Sequence, residues 1–417
     1  MLSVFTNAWK VKDIRKKILY VLLILLIYRL GCYIPLPGVN IAEMQAAGYG
    51  DTQSLFAMIA GGGMGTIFAM GIGPYITSSI IMQLLTVAIP KLEQIQKEGE
   101  EGRKKINQYT RVVAIVLALM QACASVFSLD NLEYFVNPNW FTYIIAVVAL
   151  MTGTMFIMWI SELLTEKAIG NGSSFIIFAN IIASLPRAAM SLYTTAFSAP
   201  PLSIIKIAAV LILFIFVIAF VVLIQDGERR IPVQYSKKMV GKQMFGGQSS
   251  FIPIKVNIAG VMAIIFAISL LQFPQTVQQW VQPGWLATVV EYASITHWCG
   301  AILYVILIFC FTFFYTSFAI NPIEMAENMK KNGGFVPGIR PGRPTSDYIS
   351  RTIDRLSWIG AVFYSLMAMI PVLIEWIFGI KAGFGGTTLL IVVGVALELN
   401  KQLESQLLMR HYKGFLN

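Results

Sequence analysis

"MGIGPYITSSIIMQLLTVAIP" (70–90) carries no charged side chain and is long enough to cross a lipid bilayer as a helix. A spanning helix needs roughly 20 mostly apolar residues. The stretch begins with Gly71, Gly73 and Pro74, which weaken its first helical turns. Such breaks are tolerated in membranes where the backbone is buried or lines a cavity. The stretch therefore predicts a membrane helix with an irregular start.

The composition of the whole chain agrees with a membrane protein. Of its 417 residues, 57% are hydrophobic and only 12% are charged, and the mean hydropathy is +0.70. Soluble domains carry about 25% charged residues, so this chain has too little polar surface for a soluble enzyme. High hydrophobicity excludes intrinsic disorder, and 4 cysteines exclude a disulfide scaffold. The predicted fold class is an all-α polytopic membrane protein.

Ten apolar segments are candidates for membrane spans. They are 18–34, 67–89, 112–128, 140–161, 172–186, 203–224, 257–273, 298–320, 356–376 and 386–403. Residues 1–30 resemble a signal peptide, but no small-residue cleavage site follows, so we expect an uncleaved first helix. Arg29 lies near the end of that first span.

Lysine and arginine are concentrated in alternate connections between these segments. The N-terminal segment has five, and the second, sixth and eighth loops have six each, whereas the first, third and seventh loops have none. Cytoplasmic loops of membrane proteins carry the excess of these residues. Both termini are therefore predicted to be cytoplasmic, with an even number of spans.

The ten segments divide into two groups of five, residues 1–186 and 187–417. Because five is an odd number, the second group must insert upside down relative to the first. Inverted halves around a central path recur in transport proteins. The pattern predicts two inverted five-helix halves around a pore.

Catalytic and metal-binding patterns are missing from the sequence. The chain has no HExxH motif, no paired catalytic carboxylates and no phosphate-binding loop. Its histidines and cysteines have no ligand spacing. We therefore expect a protein that is not an enzyme and that has no cofactor and no metal ion.

A short apolar segment, Leu55 to Ala60, lies in the first outward loop and is followed by glycines at 61, 62, 63 and 65. It is too short to span a bilayer, and such segments are often re-entrant or interfacial. It is either a movable plug that enters a cavity or a turn packed on neighbouring helices. In the next segment, Ile72 and Ile76 share one helix face. They either form a constriction that gates by dewetting or pack against another helix.

Two long loops, 225–256 and 321–355, carry most of the remaining basic charge. The first contains the β-prone stretches "RIPVQY" and "SFIPIKV", which predict a structured protrusion. The second contains "GGFVPGIRPGRPTSDY", which predicts a rigid irregular loop carrying Arg340 and Arg343. These loops either bind an anionic partner such as RNA or an acidic protein surface, or they serve as topology signals that contact anionic lipid.

Three functions remain open at this point. A passive protein-conducting channel explains the outward apolar segment and the break in the second span. A secondary transporter would need a polar or charged site at mid-membrane, and the span centres are almost free of charge. A scaffold that docks a ribosome or a motor explains the basic loops but not the outward apolar segment or the break in the second span.

Long motifs along the whole chain resemble the SecY family of protein translocase channels. They are "GCYIPLPGV" (31–39), "MGIGPYITSSIIMQLLTVAIP" (70–90), "KEGEEGRKKINQYTR" (97–111), "GERRIPVQYSKK" (227–238), "GGQSSFIPIKVNIAGV" (246–261), "NPIEMAENMKKNGGFVPGIRPGRPT" (321–345), "GGTTLLIVVGVALE" (385–398) and "QLLMRHYKGF" (406–415). The resemblance implies an hourglass pore between inverted halves, which opens sideways to lipid and conducts unfolded secretory polypeptides across the bacterial plasma membrane.

The resemblance also implies roles for individual residues. The pore ring would be formed by Ile72, Ile76, Ile177, Ile265 and Ile391, with Ser173 at a sixth position that is often isoleucine. The plug would lie at about 53–65 and include Leu55, Phe56, Ala57, Met58, Ile59 and Ala60. The lateral gate would carry polar contacts from Gln83, Gln121 and Asn257. Partner docking would use Arg229, Arg230 and Arg340.

The partners that the resemblance implies are of several kinds. The small membrane subunits SecE and SecG would accompany the channel. The motor ATPase SecA and the ribosome would dock on the two basic loops. Signal sequences and translocating polypeptides would enter the pore, and apolar segments would leave it for the lipid bilayer.

Overall fold

The computed structural model describes residues 6, 8–40, 43–44, 63, 65–131, 133–167, 170–198, 202–235, 238–240, 243–245, 249–278, 288, 290, 292–295, 297–378 and 386–414. The six predicted plug residues, 55–60, lie outside these ranges.

Within the described ranges, a helix lies on each of the ten predicted spans, and two short helices of 8 and 10 residues lie between spans. The helices are α1 (Lys12–Gly31), α2 (Gly73–Ala88), α3 (Pro90–Lys97), α4 (Glu100–Asn131), α5 (Trp140–Lys167), α6 (Gly172–Ser198), α7 (Leu202–Asp226), α8 (Met262–Gln278), α9 (Trp298–Ala319), α10 (Pro322–Lys331), α11 (Arg343–Phe378) and α12 (Gly386–Gly414). The strands are β1 (Glu228–Tyr235), β2 (Lys238–Val240), β3 (Gln243–Phe245), β4 (Ser249–Lys255) and β5 (Gly334–Phe335).

Length and composition alone identify 5 membrane-spanning helices within the described part of the chain. The count rises to 6 if α2 and α3, which meet at a bend of 101°, form one span. The apolar portions of α6 and α8 are shorter, at Gly172–Pro186 and Met262–Leu271. The polytopic α-helical class is confirmed.

Several helices are longer than their apolar segments predict. Helix α11 begins at Arg343 rather than residue 356, and α4 begins at Glu100 rather than residue 112. Hydropathy detects only the part of a helix that lies in lipid. The polar turns beyond it continue the same hydrogen-bond ladder into water, so their sequence carries no apolar signal.

The predicted weak start of the second span is confirmed. Residues 67–72 form turns, and the helix begins at Gly73 with Pro74 in its first turn. Proline suits that position because its missing N–H would have no partner in the helix. Gly71 has a φ of 54°, a conformation that favours glycine.

Contacts divide the chain into two compact units. The first comprises Met1–Ile207, Gln272–Glu291 and Phe378–Asn417, and the second comprises Ala208–Leu271 and Tyr292–Ile377. In the first unit, α4 packs against both α2 and α5, and α12 packs against α6. The predicted division between residues 186 and 187 describes two halves of inverted topology. Packing contacts do not test such a division, so it stays a prediction.

The two ends of the chain pack together in the first unit. Ala8 and Ile14 form an apolar cluster with Leu403 of α12, and Ile18 and Leu407 pack at its margin. Ile14 precedes the first predicted span and Leu403 ends the last one, so their contact brings the outer ends of these two spans together. This contact agrees with an even number of crossings.

Helix α5 approaches the segment before α2 closely at Gly153. A Cβ atom there would lie 2.3 Å from the carbonyl oxygen of Ile67. The neighbouring atom belongs to the backbone, so it cannot move aside without shifting the turn that leads into α2. Small residues allow membrane helices to reach such short separations.

Gly153→Ala is expected to destabilise the protein by about 1–3 kcal/mol, the usual cost of overpacking. Thermal unfolding of the purified protein in detergent measures the effect as a lower Tm. Gly63→Ala is the matched control, because a Cβ there would have nothing within 4 Å. Equal Tm values for the two variants would contradict the close approach.

Candidate functional site

Two predicted ring residues lie where the turn becomes α2. Ile72 precedes the first helical residue and is 1% exposed, and Ile76 is half-buried. The Ile76 N–H donates to the Ile72 carbonyl oxygen at 3.1 Å, so the side chains lie one turn apart. Ile72 is therefore in the protein interior, and Ile76 is at its margin.

Two further ring positions of the first unit lie on α6 and α12. Ile177 is 5% exposed and Ile391 is 3% exposed, and the helices that carry them pack against each other. In the second unit, Ile265 of α8 is buried as well. Each of these side chains faces protein rather than lipid within its own unit.

Ser173, at the sixth ring position, takes part in a helix cap. Asn171 Oδ1 accepts hydrogen bonds from the Ser173 backbone N–H at 3.1 Å and from its hydroxyl at 2.7 Å. This is the side-chain capping of free N–H groups that starts many helices. A polar hydroxyl therefore replaces apolar surface one turn before Ile177.

The three predicted lateral-gate residues are divided between the units. Gln83 of α2 and Gln121 of α4 are half-buried in the first unit, where their helices pack together. Asn257 lies in the second unit, between β4 and α8, and its Oδ1 is buried with no hydrogen-bond partner among the described residues. Leaving a buried acceptor unpaired costs about 1–3 kcal/mol. The Asn257 oxygen is thus available to a further donor.

The two basic loops fold together into one small subdomain of the second unit. Strand β1 pairs antiparallel with β4 from its own loop and with β5 from the other loop, in the order β4-β1-β5. The sequence predicted strands in the first loop, and these are confirmed. It did not predict that the second loop would supply a strand of the same sheet.

An apolar core lies beneath one face of this sheet. It is formed by Ile231, Val233, Ile254, Met329, Val336, Ile349, Ile353 and Leu356. These side chains come from β1, β4, α10, the residue after β5 and the first four turns of α11, so the core joins both loops to a membrane helix. We call this the two-loop subdomain.

The prediction of an irregular loop over 321–355 is wrong in its first and last thirds, because α10 occupies Pro322–Lys331 and α11 begins at Arg343. Asn321 accepts hydrogen bonds from the N–H groups of Ile323 and Glu324, at 3.2 and 3.4 Å. An asparagine cap followed by proline is a recognised helix start. The dipeptide at 321–322 was therefore a signal that could have found this helix.

The three predicted docking arginines are all exposed on the two-loop subdomain. Arg230 Nε lies 2.7 Å from Glu228 Oε1, and its guanidinium lies 4.8 Å above the Phe251 ring. These contacts orient one cation on the outer face of the sheet. Arg229 lies next to it, in register with Ile254.

Arg340 projects from a tight turn between β5 and α11. Gly338 and Gly342 on either side have φ values of 82° and 101°, which only glycine adopts without strain. The Arg340 carbonyl oxygen accepts a hydrogen bond from Thr345 Oγ1 at 2.8 Å. The backbone of the turn is therefore ordered while the guanidinium stays in solvent.

No group of three His, Cys, Asp or Glu side chains within the described ranges is arranged to hold a metal ion. The predicted site residues described above carry apolar, amide, hydroxyl and cationic side chains.

Comparison with known proteins connects these features to one family. The SecY family model matches residues 66–400. The protein translocase subunit SecY of Streptomyces galbus is 42% identical over 440 residues, covering 100% of both chains. That of Aquifex aeolicus is 42% identical over 426 residues, covering 98% of both.

Solved structures share the fold at lower sequence identity. A protein-conducting channel aligns with a TM-score of 0.64 and 19% identity, covering 93% of this chain and 91% of that one. A SecY protein described for its plug domain and closed state gives 0.63 and 20%, covering 92% and 90%. Canine Sec61 in a ribosome–channel complex gives 0.60 and 19%, covering 93% and 91%.

Proposed function

The chain belongs to the SecY family, and from this we infer that it is a protein-conducting channel rather than an enzyme. It would move unfolded secretory polypeptides across the membrane and release apolar segments sideways into lipid. The observation that carries this inference is the match to curated translocase subunits over the full length of both chains. The ordered two-loop subdomain and the buried isoleucines are consistent with it.

We propose that the five isoleucines form the seal of the resting pore. A translocating chain is chemically varied, so specific binding groups would impede it. A pliable apolar ring closes around many side chains and excludes ions by dewetting. The burial of Ile72, Ile177, Ile265 and Ile391 supports this role, because none of them is turned towards lipid.

The plug and the lateral gate complete the proposed machinery. Residues 55–60 would fill the outward cavity. A SecY protein of the same fold has a plug domain that stabilises its closed state and maintains a membrane seal. Gln83, Gln121 and Asn257 would lie along the exit to lipid. An apolar segment would choose lipid by its transfer free energy, at roughly 0.5 kcal/mol for each central leucine.

We propose that Arg229, Arg230 and Arg340 dock the motor ATPase SecA and the ribosome. Canine Sec61 and yeast Ssh1 share this fold and were both solved in complexes with ribosomes, which supports a ribosome as one partner. Exposed cations on a rigid sheet and turn suit phosphate groups or acidic side chains. SecE and SecG would be the accompanying membrane subunits.

The proposed location is the bacterial plasma membrane, with both termini in the cytoplasm. The alternation of basic and neutral loops supports this orientation. The packing of Ala8 and Ile14 on Leu403 supports a shared side for the two ends.

Site-specific photo-crosslinking from Ile76 tests the channel against the two other functions. In membranes holding a stalled secretory chain, we expect a crosslink that requires both the signal sequence and a docked partner. A probe at Leu22, which is exposed on the apolar face of α1, is the lipid-facing control. Crosslinks from Arg340 without any from Ile76 would favour a docking scaffold, and a small-molecule substrate would favour a transporter.

A further inference from the structure

A polar cluster joins the end of α1 to α6 inside the first unit. Arg29 Nη1 donates a hydrogen bond to Asn180 Oδ1 at 3.4 Å. The Tyr28 hydroxyl also hydrogen-bonds the Asn180 side chain. Tyr28 is 0% exposed and Asn180 is 1% exposed, while Arg29 is half-buried. A cation is thus held against a fully buried amide.

Both helices of this cluster lie in predicted membrane spans, 18–34 and 172–186. An arginine at mid-membrane is energetically costly, so such residues are rare and commonly functional. Arginines near the end of a span often extend to the water interface instead. The Arg29 guanidinium contacts Asn180, so its positive charge lies against the protein and does not extend fully to the lipid–water interface.

The charge lies beside two of the stretches that carry the proposed ring. Asn180 follows Ile177 by one helical turn, on nearly the same side of α6. On the other side of the cluster, the Tyr28 ring stacks on Phe68, with centroids 5.8 Å apart. Phe68 precedes Ile72 by four residues. All of these residues belong to the first unit.

The end of α1 is fixed at this level by two further contacts. A Cβ on Gly31 would lie 2.1 Å from Phe68 Cε2, so the helix and the ring are in close contact. The Ile67 N–H donates to the Ile34 carbonyl oxygen at 3.1 Å. Arg29 is therefore held in position relative to the turn that leads to Ile72.

We infer that Arg29, positioned by Asn180, is an electrostatic barrier that keeps cations out of the pore ring, an inference that rests on the proposed channel function. An apolar ring excludes ions by dewetting but does not distinguish their sign. A fixed positive charge in a medium of low dielectric constant repels potassium ions and protons. Ser173 of α6 makes the proposed ring less apolar on that helix. The Arg29 charge therefore supplements the seal against cations.

The test is the ion selectivity of the purified full complex in a planar bilayer, opened by an engaged secretory chain in a KCl gradient. The reversal potential gives the chloride-to-potassium permeability ratio. We expect Arg29→Gln to lower this ratio about fivefold, as estimated for one charge near the path. Arg29→Lys should retain most of it, because the charge is kept.

Arg15→Gln is the matched control, because Arg15 is an exposed cation of the same helix outside the predicted span. It should leave the ratio unchanged. An unchanged ratio in Arg29→Gln would overturn the inference, as would a loss in Arg29→Lys equal to that in Arg29→Gln. If Arg29→Gln fails to assemble, Asn180→Ala decides: a lower ratio supports the barrier, and an unchanged ratio overturns it.

The proposed function is judged separately in the same experiments. Wild type and Arg15→Gln should export a secretory protein and conduct ions once a chain is engaged. If they do both while Arg29→Gln keeps the wild-type selectivity, only the barrier fails. If wild type neither exports nor conducts, the channel function fails as well.

Discussion

Arg340→Glu is expected to slow motor-driven export about tenfold or more, because truncating or reversing a charge in a docked pair costs a few kcal/mol. The side chain is exposed, and only the backbone of this residue takes part in the hydrogen bond from Thr345. Reversal therefore changes the proposed docking surface and leaves the turn intact. Initial export rates into membrane vesicles, with SecA and ATP supplied, measure the effect.

Arg355→Glu is the control for the Arg340 reversal. Arg355 is an exposed cation of α11, on the same subdomain but further along the helix. Arg355→Glu changes the net charge by the same amount as Arg340→Glu and should leave the export rate near that of wild type. Normal export by Arg340→Glu at normal abundance would remove Arg340 from the docking surface. Equal loss in both variants would indicate a general charge effect rather than a docking residue.

Deleting residues 55–60 is expected to raise the ion conductance of the resting channel about tenfold or more, since water-filled pores conduct and dewetted ones do not. The described residues that follow this segment are held by hydrogen bonds. The Leu36 N–H donates to the Gly65 carbonyl oxygen at 2.8 Å, and Thr66 Oγ1 donates to the Gly63 carbonyl oxygen at 2.9 Å. The deletion should therefore remove apolar surface without releasing the start of α2.

Single-channel recording in the absence of any secretory chain measures this leak. Replacing the same six residues by glycine and serine keeps the loop length and removes the apolar side chains. That variant should leak as well, because the proposed seal depends on apolar contact rather than on chain length. Unchanged conductance in both variants would assign the seal to another segment. A leak in the deletion alone would show that loop length, not apolar surface, matters.

Much of the architecture could be predicted from local patterns. All ten spans contain a helix, and the strands of the first basic loop were expected from "RIPVQY" and "SFIPIKV". The weak start of the second span followed from Gly71, Gly73 and Pro74. Each of these signals depends on a few neighbouring residues, because transfer into lipid, strand propensity and proline geometry act residue by residue.

Local patterns failed where partners are distant in sequence. Strand β5 is only 2 residues long and has no signal strong enough to predict a strand, yet it pairs with β1 almost a hundred residues earlier. Helix α10 was missed because its asparagine cap was read as part of a glycine- and proline-rich loop. The ends of α4 and α11 were missed because polar helical turns carry no hydropathy signal.

The sequence by itself therefore indicated the position, order and chemistry of the ten apolar spans, and the side of the membrane that its basic loops favour. The tertiary structure decided which distant residues meet. It joined two loops into one subdomain, brought Ile14 to Leu403, and set Arg29 against Asn180 across 151 positions of the chain. The reason is physical: lipid partitioning is a property of each segment, whereas packing and hydrogen bonding need a partner that only the folded chain supplies.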